Sequence, residues 1–312
     1  MRKVKLAAIQ PEIYPNREEI NMDAIERQIE TTANLLVEAG MENCDIVCTT
    51  EDAALLSKLV LRDDDSFTEW VEKSVPLIEK KYSEIASKYG MYIVGCYNKK
   101  NGSNIYNIAS IFDRHGQIAG EYRKTHLPTN ESWQIKHGKE LPVFKLDFGT
   151  VGICICYDIM FPEAAEVLSL KGAEIIFHPT VGYGWYDDIG EAALRVRAND
   201  NGVYIVTSKN YVYNRAGKSS IIDYWGHVLC EAGFYKNVIV TKEIDLDIKK
   251  TQPDWYFETQ SSKKCEVAVR MRMQRRPELY SALCDKIEML QIPDKEEKNR
   301  IREDIKTGKI HW

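Results

Sequence analysis

No run of about 18 apolar residues occurs anywhere in the 312-residue chain, so nothing in it reads as a membrane-spanning helix. None of its eight cysteines forms a CxxC pair, and none of its six histidines falls into zinc-finger spacing with them. A structural zinc site and a thioredoxin-type redox site are therefore not expected. There is no GxGxxG, no Walker loop and no cluster with metal-ligand spacing, so neither a cofactor nor a metal is indicated. Basic residues do not gather into a stripe, and the formal net charge is −5, which argues against nucleic acid as a partner. The opening "MRKVKLAAIQPE" places basic residues before an apolar stretch. That stretch is too short for an export signal and ends at Gln10-Pro11 without a small-residue cleavage site. The expectation is a cytoplasmic protein without a disulfide framework, its thiols mostly acting as small hydrophobes in the core.

What is present is the makeup of a globular protein, with 44% hydrophobic and 29% charged residues and enough chain to bury a sizeable core. Short apolar runs alternate with helix-length segments, the pattern of an α/β fold. "VKLAAIQ" (4–10) reads as a strand, and residues 17–39 as a helix with Ile25, Ile29, Ala33, Leu36 and Val37 on one face and Gly40 as its stop. "DIVCTT" (45–50) is a second strand reaching Glu51, followed by a helix closed by Gly90 and a third strand, "MYIVGCYN" (91–98). A hairpin follows, with its turn at Asp113-Arg114-His115-Gly116.

The second half repeats this order. "GICIC" is a strand ending at Cys156, and "PEAAEVLSLKG" is a helix with proline in its first turn and Gly172 beyond its end. "AEIIFHPT" (173–180), a helix closing at Gly202, "VYIVTSKN" (203–210) and "SSIIDYWGHVL" then echo the corresponding pieces of the first half. Four echoes in one order predict two related halves packed as a single domain. Beyond residue 250 the chain turns polar and then heavily charged, and reads as an arm and a solvated helix.

Ligands of parallel α/β folds collect at the carboxyl ends of strands. Glu51, Lys124, Glu131 and Cys156 fall at such ends or just past them. Taken singly, Glu51 could be a helix cap, Lys124 a solvated cation and Cys156 a core thiol. Together they make chemical sense. A thiol ahead of the helix at Pro162 would gain thiolate character from the turn's amides and a nearby lysine. A carboxylate could shuttle the proton, and lysine with a backbone amide could hold an oxyanion. Cys154 and Cys156 share a face by the period-2 rule, so only position separates them: Cys156 at the strand's end, Cys154 one step deeper in the core.

"YRKTHLP" and "GICICYDIMFPE" resemble two signature segments of the nitrilase superfamily of carbon–nitrogen hydrolases. "KGAEIIFHPT", "RVRANDNGVYIVTSKN", "GKSSIIDYWGHVL" and "RRPELY" are similar to later landmarks of that family, so that the resemblance runs over residues 4 to 281 and leaves 282–312 as a charged tail. It implies a four-layer α-β-β-α sandwich, commonly assembled as a dimer or larger homo-oligomer. It also implies a Glu-Lys-Cys triad of Glu51, Lys124 and Cys156, with Thr50 standing where the family usually has proline. Glu131 would be a second glutamate orienting the lysine or the leaving group, and Tyr157 would lend its backbone amide. The activity implied is metal-independent hydrolysis of a small amide through a thioester. N-carbamoyl substrates are the alternative and nitriles a further one, since Tyr-Asp after the cysteine is commoner among amidases and carbamoyl hydrolases. Tyr183 and Trp185 are candidates for the pocket wall. Two rivals stay open: a thiol hydrolase or redox protein using His126 or His178, and a catalytically silent scaffold.

Overall fold

The computed structural model describes residues 1–13, 21–51, 53–54, 64–128, 131–182, 187–211, 218–248, 275–285, 294–307 and 309. The first half runs β1 (Lys3–Gln10), α1 (Met22–Met41), β2 (Ile46–Cys48), α2 (Asp64–Tyr89), β3 (Tyr92–Asn101), β4 (Asn104–Phe112) and β5 (Ile118–Arg123). After β6 (Val143–Lys145), the second half runs β7 (Thr150–Ile153), α3 (Pro162–Leu170), β8 (Ile175–Thr180), α4 (Asp187–Asn201), β9 (Tyr204–Lys209), β10 (Ser220–Ile222) and β11 (Val228–Glu231). β12 (Val238–Asp245) returns to the first sheet, and α5 (Lys295–Lys306) lies in the charged tail.

These strands form two six-stranded sheets, ordered β12-β1-β2-β3-β4-β5 and β11-β10-β9-β8-β7-β6. In each sheet three parallel strands continue into two antiparallel ones. Each also carries an antiparallel edge strand supplied after the other half's hairpin: β6 against β7, and β12 against β1. The halves are thus tied together by exchanged edges.

Strand alternation decides the layers. Val4, Leu6, Ala8, Ile46, Cys48 and Val94 of the first sheet meet Val151, Ile153, Ile175, Phe177 and Val206 of the second in a hydrophobic seam. The opposite face of the first sheet packs on α1 and α2 through Ile25, Ile29, Leu36, Val71, Ile78 and Tyr82. That of the second packs on α3 and α4 through Ala164, Leu168, Leu194 and Ala198. This is the four-layer α-β-β-α sandwich.

The two hairpins repeat atom for atom. The Asp113 carboxylate accepts from the amides of His115 and Gln117, and that of Asp223 from those of Trp225 and His227. Gly116 and Gly226 occupy left-handed conformations (φ 78° and 80°) under the backbones of Ser83 in α2 and Arg195 in α4. A Cβ would lie 2.5 and 2.7 Å from those carbonyl oxygens, so both positions need glycine.

Gly40 does not stop α1, which runs on to Met41. Its bare Cα admits the Tyr89 ring, which a Cβ would meet at 2.4 Å, and the left-handed residue after the helix is Asn43. Gly90, Gly172 and Gly202 do take positive φ just past α2, α3 and α4. Past β12, Arg275 reaches Glu166 of α3 at 2.6 Å.

Candidate active site

The carboxyl ends of the parallel strands from both sheets meet at one edge of the seam. There the Ser208 hydroxyl of β9 donates to the Cys48 carbonyl of β2 at 2.8 Å, and that of Ser219 to the Ile9 carbonyl of β1 at 3.0 Å. Three of the four candidate residues are in direct contact at this edge. Lys124, immediately after β5, is fully buried. Its Nζ donates to Glu51 Oε1 at 2.7 Å and to Glu131 Oε2 and Oε1 at 2.8 and 3.0 Å. The lysine backbone is held on both sides, its amide donating to the Asn107 carbonyl and its carbonyl accepting from Gly138. Glu51 lies three residues past the end of β2, not on it, and is 4% exposed. Besides Lys124 it accepts from Asn107 Nδ2 at 3.0 Å and from the Val181 amide at 3.0 Å. The Val181 contact crosses from the second sheet, so the carboxylate is fixed by both halves. Glu131 begins a short 3₁₀ helix, Glu131–Trp133.

Cys156 completes the group, and its setting differs from the expectation. β7 ends at Ile153, and Cys156 opens a 3₁₀ helix, Cys156–Met160, with φ at +45°. A non-glycine residue in that region is uncommon and costs backbone energy. The alternation that would put both thiols on one face is therefore broken. Cys154 packs with α3 and α4, whereas Cys156 sits at the end of the inter-sheet seam. The sulfur of Cys156 hydrogen-bonds Thr180 and shares a field with Glu51, Lys124 and Glu131.

That field runs against the expected thiolate. Burial pushes the Cys156 thiol up, Glu51 and Glu131 add to the rise, and Lys124 offsets only part of it. The resting sulfur is a neutral thiol, so a base must take its proton as it reacts. Burial also raises Glu131, to about 7, against the pull of Lys124. Burial opposes the charge on Lys124, but Glu51 and Glu131 outweigh it and hold the ammonium well above the ordinary lysine range.

Asp158, two residues after Cys156, is a site residue that reading the sequence for chemistry missed. It is fully buried and accepts from the Tyr122 hydroxyl at 2.6 Å, Thr125 Oγ1 at 3.0 Å, the His126 amide at 2.9 Å, His126 Nδ1 at 2.8 Å and the Ile155 amide at 2.8 Å. Burial alone would raise its pKa, but the donors, His126 and Tyr122 foremost, bring it below the ordinary carboxylate value. The aspartate joins the segment that carries Lys124 to the turn that carries Cys156. Its signal in the sequence is the Tyr-Asp that follows the cysteine.

The histidine rival loses its geometry. His126 faces Asp158 and stacks on Phe161 at 4.1 Å, and the two ring nitrogens of His178 face the Cys156 carbonyl and Thr207. Tyr157 sits beside the site, its ring edge-on to Phe161. Tyr183 and Trp185 lie outside the described residues. Among the described residues no cluster of His, Cys, Asp and Glu could hold a metal ion, and no helix is long and apolar enough to cross a membrane.

A family model described as carbon-nitrogen hydrolase matches residues 5–251. The chain belongs to the carbon–nitrogen hydrolase family. It is 33% identical over 200 residues to omega-amidase NIT2 of Danio rerio, covering 58% of this chain and 70% of that one. It is 33% identical over 230 residues to 2-oxoglutaramate amidase of Bacillus subtilis, covering 69% and 83%. A carbon–nitrogen hydrolase of Helicobacter pylori has the same fold, with a TM-score of 0.72 over 91% of this chain and 99% of that one at 21% identity. This carbon–nitrogen hydrolase is thus an enzyme of the nitrilase superfamily that acts on C–N bonds other than peptide bonds.

Proposed function

We propose that this hydrolase cleaves the carboxamide of a small amide through a thioester on Cys156. The observation that carries the reading is the buried Lys124 ammonium held between two carboxylates, Glu51 at 2.7 Å and Glu131 at 2.8 Å, beside a thiol that is neutral at rest. Glu51 takes the thiol proton as Sγ bonds to the amide carbon. The carbonyl oxygen becomes an oxyanion held by the Lys124 ammonium and the Tyr157 amide. Glu51 returns the proton to nitrogen, the C–N bond breaks and ammonia leaves. A water then gives its proton to Glu51 and attacks the thioester, and the sulfur departs as the thiol while the acid is released. Glu131 keeps the ammonium in place and balances part of its charge.

The relatives named omega-amidase and 2-oxoglutaramate amidase direct the reading to amides that also carry a carboxylate.

Ammonia release is measured with succinamate, 2-oxoglutaramate, propionamide, an N-carbamoyl amino acid and a nitrile. Carboxylated amides are expected to turn over fastest, and Cys156→Ala to abolish both turnover and the mass-detectable acyl adduct. Activity retained in Cys156→Ala refutes the mechanism. Preference for the N-carbamoyl compound refutes the substrate class.

A further inference from the structure

His178, in β8, is 4% exposed. Its Nε2 lies 3.1 Å from the Cys156 carbonyl oxygen and its Nδ1 2.9 Å from Thr207 Oγ1. A carbonyl oxygen only accepts, so Nε2 carries the hydrogen and donates it. The ring is neutral, because burial lowers its pKa to about 4. Nδ1 therefore bears a lone pair and accepts from the Thr207 hydroxyl. Thr207 is itself fully buried, directly opposite His178 in the β8/β9 ladder. One tautomer and one ring orientation satisfy both contacts.

The carbonyl so held belongs to the one peptide whose direction matters for an oxyanion. The link between Cys156 and Tyr157 is planar and trans, with its C=O and N–H on opposite sides. Whatever fixes the carbonyl aims the Tyr157 amide. It also steadies the left-handed conformation of Cys156, which its side chain does not favour.

We infer that His178 is a positioning residue: by holding the Cys156 carbonyl it keeps the nucleophile's turn in its strained conformation and aims the Tyr157 N–H at the developing oxyanion. The inference rests on the reading of Cys156 as nucleophile and adds to it a residue that touches neither the sulfur nor the substrate. Thr207 acts one step further out by fixing the tautomer.

The test compares wild type, His178→Phe, His178→Gln, Thr207→Val and Cys156→Ala. The substrate is succinamate, with succinic semialdehyde as its aldehyde analogue. The uncharged pair propionamide and propionaldehyde is run in parallel. An aldehyde adds the thiol across its C=O, forming the S–C bond and an oxygen placed as the oxyanion would be. In His178→Phe, kcat is expected to fall about 30- to 100-fold, less than the roughly 100- to 1,000-fold seen when an oxyanion donor is removed outright because the Tyr157 amide is misaimed and not lost, with KM changed less than about threefold. Aldehyde affinity should weaken by the same factor as kcat. Alkylation of Cys156 by iodoacetamide, which develops no oxyanion, should change less than about threefold. His178→Gln keeps a donor and should recover most of kcat. Thr207→Val should lose activity in the same direction to a smaller extent.

A His178→Phe enzyme with wild-type kcat overturns the inference, as does one whose alkylation rate falls as far as its kcat, or whose aldehyde affinity stays at the wild-type value while kcat falls. Should His178→Phe not fold, unchanged kcat in Thr207→Val overturns it alone. Turnover by Cys156→Ala would instead overturn the underlying mechanism, whatever the position 178 variants do.

Discussion

The Tyr122 hydroxyl donates a 2.6 Å hydrogen bond to the buried Asp158 carboxylate, joining the end of β5 to the turn after β7. Tyr122 lies two residues before Lys124, and Asp158 two residues after Cys156. The separation between ammonium and thiol is thus set by a contact in which neither takes part. The same carboxylate takes four further hydrogen bonds from Thr125, His126 and Ile155, so both segments are anchored to one pair of oxygens.

Asp158→Asn is expected to destabilise the fold by about 3 kcal/mol, since the amide nitrogen would face donors that now find a carboxylate. Tyr122→Phe removes one charge-assisted bond and should cost about 2 kcal/mol. Urea unfolding measures both. A double variant whose cost equals the sum of the singles would show that the two groups are not coupled, contrary to the contact seen.

Removing Lys124 is expected to be worse than removing Glu131. Lys124→Met leaves Glu51 and Glu131 facing each other without a cation, at a cost of about 3–5 kcal/mol at neutral pH. Acidification should relieve part of that cost, because protonating one carboxylate removes the repulsion. Glu131→Gln keeps the Lys124–Glu51 pair and should cost about 1 kcal/mol at the acid end, near pH 4.5, and less as the pH rises, while lowering kcat under the proposed mechanism. Equal destabilisation by the two variants would contradict the buried clamp.

Much of this fold was legible in the sequence because its signals are local. Apolar runs gave the strands, and glycines at 90, 172 and 202 marked helix ends that need a left-handed residue. The two Asp-X-X-Gly turns revealed the repeat, since a short aspartate bonding the amides two and four residues on is decided within the turn itself. What stayed hidden depends on contacts remote in sequence. Gly40 looks like a helix stop until the Tyr89 ring is seen above it. The +45° φ of Cys156 breaks the strand's alternation early, and nothing in "GICICYD" states it, because His178 and Asp158 hold that turn from outside or beyond it. Lys124 and Cys156 stand out in the sequence as residue types just past strands. The direction in which burial shifts the thiol needed the surrounding carboxylates in place.

The thiols should differ in reactivity in an order opposite to simple nucleophile mapping. Cys284 is exposed, whereas Cys44, Cys48, Cys96 and Cys154 are buried, and burial together with Glu51 pushes the Cys156 thiol up. Among these cysteines, equimolar N-ethylmaleimide at neutral pH should label Cys284 first, as read by peptide mass spectrometry. Cys156 should be modified preferentially only by reagents that enter as amides or aldehydes, where a base can take the proton during attack. Rapid labelling of Cys156 by the maleimide at pH 6 would show a resting thiolate and contradict the neutral thiol.

Two buried groups give the stability of the protein opposite responses to acid over nearly the same range. The pKa of His178 is lowered from 6.5 to about 4 by burial, so between those values the unfolded chain binds more protons and stability falls as pH falls. The pKa of Glu131 is raised from 4.5 to about 7, again chiefly by burial, so between those values the folded protein binds more protons and stability falls as pH rises. The two contributions largely cancel in the wild type, and single variants should separate them. The stability of wild type minus that of His178→Phe is expected to increase by about 1.4 kcal/mol per pH unit from pH 4 to 6.5. For Glu131→Gln the corresponding difference should decrease at a similar rate, about 1.4 kcal/mol per unit at most, from pH 4.5 to 7. Urea titrations at half-unit pH steps measure both slopes. A slope near zero in either difference would mean that the group it isolates keeps its ordinary charge inside the fold, and a slope of the opposite sign that its pKa is shifted the other way.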